Sequence, residues 1–214
     1  MHISLSVKLV LGAMCTIAAS KRNMSARCHQ FSDELVEFSS HFQEPEPPLI
    51  ETEFKTAFLQ HKWDNQGRSN IATGVWYSSP SQRLVVLNEA FDGAFGSSTF
   101  DYSNTTSDGL VDNTLVLFSP NGTMLPVYRD YVNSDFPLFE DDMLVKGGAV
   151  FSGLVERLLV GQVASWSMLY QGAIPLTVFV DACGVVLGYD YWAPFLRTRV
   201  VTNFFDTTVG PVDL

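Results

Sequence analysis

At 214 residues, 46% hydrophobic and 17% charged, the chain has enough apolar surface to offset chain entropy and enough length for one well-buried domain, which excludes general disorder. Its formal net charge of −10, with no basic stripe, repels phosphate backbones and argues against nucleic acid as a partner.

Residues 1–20 read as a signal peptide. Lys8 supplies positive charge, Leu9 to Ala19 is an apolar run, and Ala18-Ala19-Ser20 fits small-residue cleavage. That run is shorter than the roughly 20 residues that span a bilayer. Lys21, Arg22 and Arg27 behind it are the feature that would instead hold it as an anchor. Later segments are too short or too polar to cross a membrane, so the expected compartment is secreted, with no transmembrane segment after signal removal. Cys28 and Cys183 then remain; in an exported chain they are expected to form a disulfide, the other reading being two independent thiols. Sequons start at Asn23, Asn104 and Asn121, the last two on polar or Pro-Gly turn segments, where glycosylation is expected.

Phe31, Leu35, Phe38 and Phe42 recur at helical spacing behind Ser32, which predicts a short amphipathic helix in an N-terminal arm, residues 21–48. Glu44-Pro45-Glu46-Pro47-Pro48 ends that arm as a stiff linker, and the main domain, 49–214, starts near Leu49. Alternation over Phe54 to His61 and Ile71 to Tyr77 begins a meander. Further strands are predicted at Arg83 to Glu89, Phe91 to Ser97, Thr99 to Tyr102, Leu110 to Phe118 and Met124 to Val132. Asp141 or Asp142 starts a helical turn through Lys146 that Gly147-Gly148 ends. Strands resume at Ser152 to Leu159 and Val163 to Tyr170, and the last covers Arg197 to Phe205.

Between them lies the most hydrophobic stretch, Gln171 to Pro194. Ile174 to Val180 and Val185 to Tyr191 form a hairpin about Asp181-Ala182-Cys183-Gly184, expected in the middle of the sheet. The fold class is therefore mainly β, one antiparallel domain with little helix.

The order of Pro47-Pro48-Leu49-Ile50, Thr73-Gly74-Val75-Trp76-Tyr77, Tyr170-Gln171-Gly172-Ala173-Ile174-Pro175, Asp181-Ala182-Cys183, Gly188-Tyr189-Asp190-Tyr191-Trp192 and Arg197-Thr198-Arg199-Val200 resembles uncharacterised secreted eukaryotic proteins with the LolA-like fold, to which ependymin-related proteins are similar. The resemblance spans about Pro47 to Phe205, and its motifs are structural. It implies a strongly curved antiparallel half-barrel whose concave face holds acyl chains or other hydrophobic ligands.

Motifs for catalysis are missing. There is no Gly-x-Ser-x-Gly elbow, His-Glu-x-x-His or Cys-x-x-Cys, so the reading is a non-enzymatic protein without cofactor or metal. His29, His41 and His61 are read as surface or packing residues, with a hydrolase built on His61 the remotest alternative. Glu140-Asp141-Asp142 is read as helix capping rather than a Ca²⁺ site. Asp190 is expected to pair with Arg197 or Arg199, because an unpaired buried charge is costly. Aromatic residues make 13% of the chain, more than two short helices can cover. A lipid or other hydrophobic small molecule is the expected partner, with Phe58, Val75, Val86, Leu115, Val127, Trp166 and Val178 lining its site. A one-residue register slip moves any of these to the other face. The competing reading is an extracellular or cell-surface interaction protein with a filled core and no ligand.

Overall fold

A computed structural model describes residues 22–23, 31, 44–91, 93–134 and 138–214. Twelve strands follow in chain order: β1 (Arg22–Asn23), β2 (Phe54–Asp64), β3 (Ser69–Ser79), β4 (Leu84–Phe91), β5 (Ala94–Thr105), β6 (Val111–Phe118), β7 (Tyr128–Val132), β8 (Val150–Arg157), β9 (Gly161–Tyr170), β10 (Ile174–Val180), β11 (Val186–Ala193) and β12 (Thr198–Val209). The one helix among the described residues, α1 (Met143–Lys146), is a single turn between β7 and β8. The helix predicted over Phe31 to Phe42 falls outside the described residues except for Phe31.

Eleven strands form one antiparallel sheet in the order β7-β6-β5-β4-β3-β2-β12-β11-β10-β9-β8, and β1 pairs beside the end of β12. The sheet is not closed; β7 and β8 are its edges. The β10–β11 hairpin is interior, as expected, but the middle of the path falls on β2.

Cross-strand register fixes the faces. Phe54, Thr56, Phe58 and Gln60 of β2 stand opposite Ser78, Trp76, Gly74 and Ala72 of β3, and Phe58 also faces Phe204 of β12. Trp76 faces Leu87, and Tyr189 faces both Val178 and Thr202. Apart from half-buried Gly74 these positions are buried, and they form one continuous wall that is apolar except at Thr56, Gln60, Ser78 and Thr202.

That wall is concave. Trp76 on β3 and Tyr189 on β11 lie three strand spacings apart along the path, roughly 14 Å on a flat sheet, yet their ring centroids are 6.3 Å apart. Tyr102 on β5 and Tyr170 on β9 are seven spacings apart, roughly 34 Å if flat, and still interact electrostatically. The chain between β7 and β8 crosses this hollow. It buries Phe139 and Leu144, and Phe139 stacks on Trp76 at 5.9 Å and lies 5.9 Å from Phe54. Among the described residues, this cover is a segment without periodicity rather than a pair of helices.

Local chemistry explains the hairpin. Asp181 Oδ1 accepts from the backbone N–H of Cys183 (2.8 Å) and Val185 (2.9 Å), as an Asx turn does. Gly184 has φ of 81°, and a Cβ there would sit 2.8 Å from the Leu49 carbonyl oxygen, so the turn and the segment at Leu49 are held closely together. Leu49 and its neighbours dock there: Glu51 N–H donates to Gly184 O at 2.8 Å and Ile50 N–H to Asp141 O at 2.8 Å.

Two strand predictions are corrected. Phe91 to Ser97 and Thr99 to Tyr102 contribute to one long β5 rather than two strands. Met124 to Val132 shrinks to β7, with Met124 making only an isolated bridge to Phe118. Pro126, which cannot donate to a ladder, separates the two.

Candidate functional site

Between the concave wall and the β7–β8 connection lies a cavity of about 60 Å³. Its wall is Ile174, Leu176 and Val178 from β10 with Tyr189 and Tyr191 from β11. Phe139 roofs it, and Asn133, Ser134, Tyr170 and Gln171 stand at its polar border. Every strand residue among these belongs to the inward register set, because Val178 faces Tyr189 and Trp166, Leu176 faces Tyr191 and Met168, and Ile174 faces Tyr170.

The volume sets what the site can take. Ligand pockets for whole small molecules run to about 300–1,000 Å³, and an apolar cavity of about 150 Å³ admits benzene. At about 60 Å³ the hollow fits the end of a chain or a similarly small apolar group. The larger depressions are open grooves near strand turns, one bordered by Ile71, Ala90, Phe95 and Phe118 and one by Pro48, Trp166 and Cys183.

Two phenols, Tyr170 at the cavity's border and Tyr102 behind Ser134, are held protonated. Burial pushes Tyr102 up to about 12, with the nearby Tyr170 adding to the rise against the hydrogen bond to Ser134 at 2.9 Å. Burial also raises Tyr170, opposed by a hydrogen bond from Gln171. A folded-state pKa above the unfolded value of about 10 means that this stabilisation is complete below pH 10 and is lost as pH climbs toward 12. Urea-unfolding free energies measured from pH 8 to 11.5 should therefore fall by up to about 2 kcal/mol, and Tyr102→Phe should flatten much of that decline.

The predicted lining residues separate by face. Phe58, Trp166 and Val178 are buried on the concave wall and Leu115 is half-buried on it, opposite Ser98 and Tyr128, but only Val178 reaches the cavity. Val75 and Val86 belong to the other face. Val75 stands opposite Ala57 and Asn88, Val86 opposite Tyr77 and Thr99, since Trp76 and Leu87 hold the inward positions. Val127 precedes β7 and is exposed. Tyr170, Ile174, Leu176, Tyr189 and Tyr191 were missed. A bulge between Phe179 and Val180 shifts the β10–β11 pairing by one residue, so a register extended outward from the Asp181–Gly184 turn puts Tyr189 and Tyr191 on the wrong face.

Asp190 pairs with neither Arg197 nor Arg199. Arg157 binds it with both guanidinium nitrogens at 3.2 Å, stacks on Phe179 at 3.8 Å and donates to the Thr202 carbonyl at 3.1 Å. Cys183 sits in the β10–β11 turn, its backbone N–H donating to Asp181 Oδ1; the predicted partner, Cys28, lies outside the described residues. Asn104 donates to Asp112 Oδ2 at 2.7 Å and accepts from Tyr131 at 2.9 Å, so its amide is engaged. Asn121 is exposed, its Oδ1 accepting from the Thr123 N–H and from Ser119. Asn23 lies in β1 and pairs with Thr208. The Glu140 and Asp142 carboxylates hold Lys146 at 2.7 and 3.0 Å rather than capping α1 through a side-chain hydrogen bond. His61 packs on Trp63 at 4.5 Å, while His29 and His41 lie outside the described residues.

No family model matches the chain, and no curated protein does. Among solved structures it is similar to a DUF1329 family protein from Desulfovibrio piger ATCC 29098, with 9% identity over 77% of this chain and 88% of that one and a TM-score of 0.33. A superposition this loose carries no inference about the chain's role.

Proposed function

We propose that this is an exported, non-enzymatic protein with a LolA-like half-barrel that seats the end of an acyl chain, or another small hydrophobic group, in its concave face. The observation that supports it is the apolar cavity enclosed by β10, β11 and Phe139, bordered on one side by polar groups that a ligand headgroup could meet. Burial of a few methylenes there at about 0.8 kcal/mol each gives modest affinity unless the β7–β8 connection yields to a longer chain. The filled-core interaction protein is the second reading, favoured by how fully Phe139 and Leu144 occupy the hollow.

Titration of delipidated protein with a fluorescent fatty acid distinguishes them. Ile174, half-buried at the cavity's edge, is the position to fill. Saturable binding that weakens by about tenfold or more, 1.4 kcal/mol, in Ile174→Trp is expected for the ligand reading. No saturable binding, or equal affinity in both proteins, favours the second.

A further inference from the structure

Because neighbouring strands alternate in direction, the β2–β3, β4–β5, β6–β7, β9–β10 and β11–β12 turns lie along one end of the sheet. The β11–β12 turn carries Phe195 and Leu196, 91% and 67% exposed, more than folding alone explains for two large apolar neighbours. Beside them stand the exposed Trp192 and Leu169. Trp192 faces Arg199, which faces Trp63, and the Arg199 guanidinium lies 5.3 Å from the Trp63 ring. Apolar tips, tryptophans at their base and arginines between them are the composition that settles at a bilayer interface, where Arg stems lie along apolar groups and their charges meet headgroups.

Charge decides between this end and the other. Among the described residues here, Asp64 holds Arg68 at 2.8 Å and Glu89 interacts with Lys62. Arg197 and Arg199 are exposed and form no ion pair with any of the described residues, on a chain of formal net charge −10. The opposite end carries Glu51, Glu53, Asp101, Asp181, Asp206 and Asp213. Its exposed pair, Leu158 and Leu159, follows Glu156 and an Arg157 already committed to Asp190. An anionic surface therefore repels one end and attracts the other.

We infer that the Phe195-Leu196 turn, with Trp192, Arg197 and Arg199, docks this protein on a bilayer bearing anionic lipid headgroups. Docking places the β9–β10 turn, whose Tyr170 and Ile174 border the cavity, at the membrane side. The inference does not depend on the cavity being occupied.

Co-sedimentation of the full chain with phosphatidylcholine vesicles, with and without phosphatidylserine, tests it. The wild type should partition onto phosphatidylserine-containing vesicles and be released by salt. Phe195→Ser with Leu196→Ser should weaken partition by about tenfold, and Arg197→Glu with Arg199→Glu should weaken it only where phosphatidylserine is present. All four positions are exposed, so thermal melts should match the wild type. Failure of the wild type to bind either vesicle overturns the inference, as does unchanged binding of the Phe195/Leu196 variant. So does a wild-type dimer that this variant dissociates, since the turn would then be an interface between copies. The fatty-acid titration of the same variant should remain as in the wild type, so failure here and failure of the cavity reading are told apart.

Discussion

Replacing Trp76 by Ala is expected to destabilise the protein by about 3–5 kcal/mol, enough to consume much of a typical domain's stability. The ring is fully buried and meets three others: Phe139 of the connection at 5.9 Å, Phe204 of β12 at 5.4 Å and Tyr189 of β11 at 6.3 Å. Its removal opens a hole where four segments converge, and strands that are not hydrogen-bonded neighbours cannot close it by a small local shift. Phe139 loses its stacking partner as well, so the roof of the cavity loosens with the wall. A urea-unfolding free energy within about 1 kcal/mol of wild type, below the usual cost of such a truncation, would mean that the concave face is not the core.

Asp190→Ala should cost about 1–3 kcal/mol, between the cost of an exposed pair and that of a fully buried one, because both side chains keep some solvent contact. Arg157 and Asp190 side chains are 13% and 21% exposed. Without the carboxylate, the guanidinium stays pressed against Phe179 with the Thr202 carbonyl as its remaining acceptor. Adding Arg157→Met to Asp190→Ala removes that stranded charge and keeps the apolar stem, so the double variant should recover most of the loss. Equal stability of the single and double variants in urea would show that the pair is not coupled.

Much of the fold was legible where turn chemistry is explicit. Asp181 and Gly184 announce the β10–β11 hairpin, and Gly147-Gly148 ends the lone helical turn among the described residues. Faces were less legible. Strand side chains alternate with a period of two, so placing Val75 beside Phe58 rather than Trp76 opposite Thr56 reverses the assignment with no change in composition. The Asp190 partner was hidden for a different reason. Arg157 lies 33 residues away in the chain, whereas Arg197 and Arg199 are close in sequence but placed elsewhere. The β7–β8 connection has no periodicity to read, so nothing in Phe139 or Leu144 marked them as the filling of the concave face. The cavity emerged smaller than the aromatic content implied for the same reason.

Native mass spectrometry of the protein purified gently from its own host tests the ligand claim most directly. A bound hydrophobic adduct, retained by the wild type and reduced in Ile174→Trp, is the predicted result. Bare polypeptide in the wild type, with no adduct recovered by organic extraction of the same sample, would contradict it.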